Sequence, residues 1–134
     1  MRVFGDTFYF LALINASDPA HDAAREWAAA SAGTRILTTT WVMTEIADAM
    51  CRRDNRRLAV DLLRGFAARE DILVLPASHE LFEAGLTLYE SRPDKDWSLT
   101  DCLSFVVMQR EGLADALTGD RHFQQAGFRP LMAP

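Results

Sequence analysis

Cysteine is scarce in this chain of 134 residues: Cys51 and Cys102 are the only thiols. They stand far apart and lack the close pairing of a zinc or redox motif, so both are expected as reduced, buried, structural residues. Long apolar runs are missing too. The longest near the start, Phe8 to Ile14, falls far short of the roughly 20 residues that cross a bilayer, and Asp6 interrupts any signal-like pattern. No membrane association and a cytoplasmic location are the expectations. Positive charge is outnumbered, with 14 Lys and Arg against 19 Asp and Glu, a net charge of -5 and a pI near 5.1. That balance counts against nucleic-acid binding by bulk charge alone, because phosphate contacts normally come from Lys and Arg. The objection weakens where acids are ligands of divalent cations, which cancel their charge. The chain also lacks a Walker phosphate loop and a Gly-x-Gly-x-x-Gly fingerprint, which argues against a nucleotide cofactor.

What is present is an ordinary globular composition, 49% hydrophobic and 25% charged, with no repeat, linker or low-complexity segment. A chain of this length buries enough surface for one core, and a single domain over residues 1–134 is expected. Val3-Phe4-Gly5 reads as a first strand and Thr7 to Ile14 as a buried helix, with Asp6 at their junction. Pro19 suits the first turn of a helix running from Ala20 to Ala30. Arg35 to Thr38 reads as a second strand, and Thr39 or Thr40 caps a helix that carries Glu45. The spacing Leu58, Leu62, Leu63, Phe66 marks an amphipathic helix ending near Arg69. Ile72 to Leu75 is a third strand, closed by Pro76, and Ser78 with Glu80 to Glu90 gives a further helix. Ser98-Leu99-Thr100-Asp101 resembles a capping box ahead of the apolar run Cys102 to Met108. Ala114 to Leu117 is a weak fourth strand, Phe123 and Phe128 flank a short helix, and Pro130-Leu131-Met132 closes as a fifth strand. Alternation of this kind implies an α/β fold, a mostly parallel four- to five-stranded sheet with helices on both faces. Ligands bind such sheets outside the carboxyl ends of the strands, where Asp6 and Asp120 fall.

Most of the acidic residues sit among polar neighbours, but Asp6, Glu45, Asp101 and Asp120 sit inside apolar stretches. Taking an ionised carboxylate out of water costs several kcal/mol, so each needs a partner. No Lys or Arg lies within four residues of Glu45, and only Arg2 and Arg121 sit near the first and last acids. Each residue alone has a plain structural role: Asp6 and Asp101 as helix caps, Asp120 as a turn acid, Glu45 as a helix residue. Together they are read as one cluster that is tolerable only around a hard, oxygen-binding cation, Mg2+ or Mn2+.

At these residues the chain resembles the PIN-domain ribonucleases and, among them, the VapC-type toxins of toxin-antitoxin pairs. The resemblance covers nearly the whole chain: a first strand ending in Asp6-Thr7, Glu45 on the third helix, Leu99-Thr100-Asp101 opening a late helix, and Thr118-Gly119-Asp120-Arg121-His122-Phe123 near the end. It implies a PIN-like fold and an endoribonuclease that cleaves phosphodiesters with metal-activated water, leaving 5'-phosphate and 3'-hydroxyl ends. It further implies Thr118 as an auxiliary polar residue of the site, an RNA substrate, a helical, Arg-containing cognate antitoxin and a homodimer. The number of metals stays open, with Asp96 in the Pro93 to Trp97 loop considered as a further acid.

The remaining features carry less. Arg52, Arg53, Arg56 and Arg57 form the only dense basic cluster, read either as an RNA- or partner-binding surface or as a solvated helix junction. His21, His79 and His122 show no metal spacing and are assigned surface or capping roles. Trp27, Trp41 and Trp97 are read as core in preference to base-stacking platforms, and exposed apolar faces on the early helices as a dimer interface. Two rival readings remain. One is another α/β phosphoryl-transfer enzyme, either a response receiver or a haloacid-dehalogenase-like phosphatase; the phosphatase pattern wants an Asp where this chain has Phe8. The other is a non-catalytic PIN-like module that binds RNA or protein.

Overall fold

The computed structural model describes residues 1–134. Its centre is a strand, β1 (Arg2–Gly5), whose Val3 and Phe4 are both fully buried. Consecutive strand residues point to opposite faces, so helices cover the sheet on both sides. β1 pairs in parallel with β2 (Arg35–Thr39) on one side and β4 (Asp115–Leu117) on the other. β3 (Ile72–Leu75) and β5 (Arg129–Pro130) are the edges, and all five strands run parallel in the order β3-β2-β1-β4-β5.

The connections are helical. Helices α1 (Thr7–Ile14) and α2 (His21–Ala30) link β1 to β2, and α3 (Thr40–Ala49) and α4 (Arg56–Phe66) link β2 to β3. The chain then returns through α5 (His79–Ser91) and α6 (Leu99–Arg110) to β4, on the far side of β1, and ends with α7 (Arg121–Gln125) and β5. The winding direction therefore reverses between β1 and β4. At such a switch point the connections leave the sheet in opposite directions and open a crevice at the strands' carboxyl ends.

Local signals in the chain explain most boundaries. Thr39 accepts the Val42 N–H at 3.2 Å and starts α3 directly from the end of β2. Ser98 and Asp101 make a complete capping box at the start of α6, as their spacing predicts. Gly85 lets α5 and α6 approach closely, for a Cβ there would lie 2.5 Å from Leu103 Cδ2. An aromatic line through Phe4, Phe123, Phe105 and Trp97 joins β1, α7 and α6, with neighbouring ring centroids 6.3, 4.9 and 5.1 Å apart.

Several details differ from the expectations. Cys51 is exposed, because the α3–α4 turn holds it outside the core, whereas Cys102 is buried as expected. Helix α4 stops at Phe66 rather than near Arg69, where Arg69 instead pairs with Asp71 at 2.7 Å. Phe123 lies inside α7, and β5 is centred on Arg129–Pro130 although the Leu131 and Met132 amides still donate to Ala116 and Thr118 at 2.9 and 3.0 Å. Apart from the terminal Met1, the exposed large apolar side chains are Leu58 and Val60 of α4, Leu73 of β3, and Leu86 and Tyr89 of α5, so they are not on the early helices. No helix is long and apolar enough to cross a membrane.

Candidate active site

Asp6 follows the last residue of β1 and occupies the N-cap position of α1, yet its side chain caps nothing. Its Oδ2 instead accepts a hydrogen bond from the Thr118 hydroxyl at 2.8 Å, 112 residues away, and the side chain is almost wholly buried. Thr118 is itself fully buried, and its hydroxyl oxygen accepts the Asp120 N–H at 3.0 Å. One hydroxyl thus ties the end of β1 to the turn after β4. Gly119 lies between them with no room for a side chain, since a Cβ would sit 2.6 Å from Phe8 Cζ.

Glu45 reaches the same crevice from α3. Its Oε1 accepts a hydrogen bond from the Thr7 hydroxyl, on the first residue of α1. Asp101 arrives from the first turn of α6 with its Oδ2 accepting the Ser98 N–H at 3.1 Å, and Asp120 Oδ1 accepts the His122 N–H at 2.9 Å to start α7. The plain capping roles of Asp101 and Asp120 are therefore real, and each acid also faces the cluster. His122 Nδ1 lies 3.2 Å from Asp101 Oδ2 and 3.3 Å from Asp120 Oδ1. One ligand atom from each of Asp101, Asp120 and His122 falls within 4.8 Å of the others.

The electrostatics record the convergence. Burial, with smaller contributions from Asp101 and Glu45, outweighs the Thr118 hydrogen bond and pushes the Asp6 carboxyl up to about 7. Glu45 is raised by burial and then by Asp101, Asp120 and Asp48, against the Thr7 hydrogen bond. Asp101 is raised by burial first and by Asp120, with the Ser98 and His122 contacts opposing. No Arg or Lys forms an ion pair with any of the four, whose only basic neighbour at that distance is His122. Converging carboxylates, partly desolvated and without a protein countercharge, are the donor set that a hard divalent cation needs. The residues fit such an ion.

The structure thus draws together Asp6, Glu45, Asp101, Asp120 and Thr118. Asp96 is exposed on the loop ahead of α6, and none of the site's hydrogen bonds reaches it. Arg52, Arg53, Arg56 and Arg57 cluster at the exposed α3–α4 turn, where Arg56 donates to Cys51 O at 3.2 Å and Arg57 pairs with Asp61 at 3.2 Å. Two residues of the site are not legible along the chain. Thr7 carries no signal linking it to Glu45, 38 residues on. His122 lies inside the Thr118 to Phe123 motif, but its approach to Asp101 across two helices leaves no mark in the spacing.

Residues 3–129 match the PIN domain family. Over 130 residues the chain is 31% identical to the 23S rRNA-specific endonuclease VapC20 of Mycobacterium tuberculosis, covering 94% of this chain and 95% of that protein. The crystal structure of M. tuberculosis VapC20, a Sarcin-Ricin loop cleaving toxin, aligns with a TM-score of 0.85 at 27% identity, over 94% of this chain and 95% of that one. VapBC2 from Rickettsia felis, solved bound to a DNA fragment from its promoter, has the same fold at 13% identity, with a TM-score of 0.65 over 96% of each chain. With acids from β1, α3, α6 and the β4–α7 turn gathered at the sheet's switch point and the family match running over almost the whole length, this chain belongs to the PIN-domain family and, within it, to the VapC-type proteins.

Proposed function

We propose that the chain is a Mg2+- or Mn2+-dependent endoribonuclease acting as the toxin of a type II toxin-antitoxin pair, with Asp6, Glu45, Asp101 and Asp120 holding the metal and Thr118 supporting them. The observation that carries this reading is the convergence of four acids with no Arg or Lys to neutralise them. A divalent cation bound there supplies Lewis acidity toward a phosphoryl oxygen and an acidified water for in-line attack.

The protein's own part is to hold and aim. Thr118 fixes the Asp6 carboxylate through a 2.8 Å hydrogen bond. Thr7 does the same for Glu45, and the capping box of α6 holds Asp101 at the crevice mouth, with 14% of its side chain exposed and within reach of solvent and RNA. The absence of Arg and Lys leaves the acids free to take up a cation rather than an internal salt bridge.

The M. tuberculosis relative is a 23S rRNA-specific endonuclease, so 23S rRNA is the first substrate to test, followed by a transfer-RNA panel. Purified protein with Mn2+ or Mg2+ should cut at a defined site, and chelation should stop it. D6N and D101N should each lose more than about a hundredfold in rate while keeping the fold, since even the outer partners of metal ligands typically cost 10–100-fold. Undiminished cleavage by both variants would defeat the assignment. Membership of the VapC-type proteins supports a cognate antitoxin, to be checked by co-purification with the product of the neighbouring reading frame, and the homodimer expected from the family resemblance is to be checked by light scattering. Metal uptake with no cleavage of any RNA would favour the binding-module alternative instead.

A further inference from the structure

The carboxylates alone leave one neighbour unexplained. His122 Nδ1 points between Asp101 and Asp120, 3.2 and 3.3 Å from one oxygen of each. We propose that His122 is a metal ligand, its Nδ1 completing a nitrogen-and-oxygen set with Asp101 and Asp120, and that this nitrogen makes the site favour Mn2+ over Mg2+. The inference rests on the reading of the four acids as a metal site and adds a donor of a different kind to it.

The spacing suits ligation. Neighbouring ligands of an octahedral ion with bonds of about 2.1 Å lie about 3.0 Å apart, close to both His122 separations. The frame behind them is independent of any ion. The Asp120 carboxylate holds the His122 backbone through its N–H, and the adjacent Phe123 is fully buried against Phe4 and Phe105. At the other end of α7, Gln125 Oε1 accepts the Trp97 indole N–H at 3.1 Å, which ties α7 to the residue just ahead of the Ser98 cap. Asp101 and His122 are thus held in register by the Phe105–Phe123 contact between α6 and α7 and by the Trp97–Gln125 bond just ahead of the α6 cap. The imidazole keeps 22% of its side chain exposed, so water and substrate oxygens can reach the same ion.

The chemistry separates the two cations. Mg2+ takes oxygen ligands and gives up water reluctantly, whereas first-row transition ions accept imidazole nitrogen readily. A single nitrogen among carboxylates therefore raises affinity for Mn2+ and leaves that for Mg2+ little changed. The competing role for His122 is that of a hydrogen-bonding spacer between two like charges, which involves no bond to the metal.

Pulsed electron paramagnetic resonance of Mn2+ bound to protein carrying 15N-histidine tells them apart. The expected result is a 15N coupling in the wild type that disappears in H122N. Titrations should show the Mn2+ Kd of H122N raised by about tenfold or more while that for Mg2+ stays within about threefold. A metal-free melt of H122N confirms that the fold is kept. Mn2+ bound by the wild type without nitrogen coupling, or an equal loss for both ions, overturns the proposal and leaves the carboxylate site standing. A wild type that binds no Mn2+ overturns both.

Discussion

Asp6 shows how far one residue departs from its ordinary chemistry. An unfolded Asp releases its proton near 3.8, and this one holds it to about 7 because it is buried beside other acids. Between those values the folded, metal-free chain binds a proton that the unfolded chain has lost, so stability falls as the pH rises through the window, by an amount on the order of 4 kcal/mol once it is crossed. Glu45 and Asp101 are raised as well and act in the same direction. Melts of chelator-treated protein should therefore be lower at pH 8 than at pH 5, the slope should flatten in D6N, and added Mn2+ should restore the loss at pH 8. Equal stability at both pH values would show that burial does not govern Asp6. Metal affinity should rise over the same range, because the ligand must shed its proton first. T118V should weaken metal binding about tenfold, since it removes the hydrogen bond that favours the ionised Asp6. The four acids are legible in the sequence because charge in an apolar context demands a partner. His122 is not, because an imidazole is at home in a cap, in a core or on a metal, and only the meeting of α6 with α7 brings it to the acids.

Among the elements, α6 bears most directly on the site because the Asp101 that closes its capping box also faces the acidic cluster. S98A should cost about 1 kcal/mol, the usual loss of a serine N-cap, read as a lower melting temperature. G85A should cost about 1–3 kcal/mol, because its new methyl meets Leu103 on α6 and overpacking is only partly relieved by repacking. If G85A melted like the wild type, the close approach of α5 to α6 would not be a constraint. The strands β1, β2 and β3 and the caps at Thr39, Ser78 and Ser98 are readable from local pattern. β5 is less so, since a two-residue ladder owes its place to β4 rather than to its own side chains. The order of the strands follows from the return of α5 and α6 across the sheet, for which local periodicity holds no signal. The exposure of Cys51 likewise depends on where the α3–α4 turn lies, not on the apolar residues before it.

For the whole molecule, an acidic chain that takes a polyanion needs its positive charge in the right place. The four-arginine turn, half a chain away from Asp120 in sequence, is the densest such patch, and none of its members is tied to the site. Reversing Arg52 and Arg53 to Glu should weaken RNA binding and flatten its dependence on salt by roughly one unit of slope for each phosphate no longer neutralised, with the cleavage position unchanged. An unaltered salt slope would return that turn to being an ordinary solvated junction. A weakened binding with a flatter slope would mean that metal charge and arginine charge share the task of meeting the phosphates, and would reconcile a pI near 5.1 with a nucleic-acid substrate.

The bond between Thr118 and Asp6 spans nearly the entire polypeptide. In chain order Asp6 comes well before Asp101, Thr118 and Asp120, the groups that orient it and complete its set. Until that later segment docks beside β1, Asp6 has neither its hydrogen-bond donor nor the acids of α6 and the β4–α7 turn beside it, so the cluster comes into being only with the closed fold.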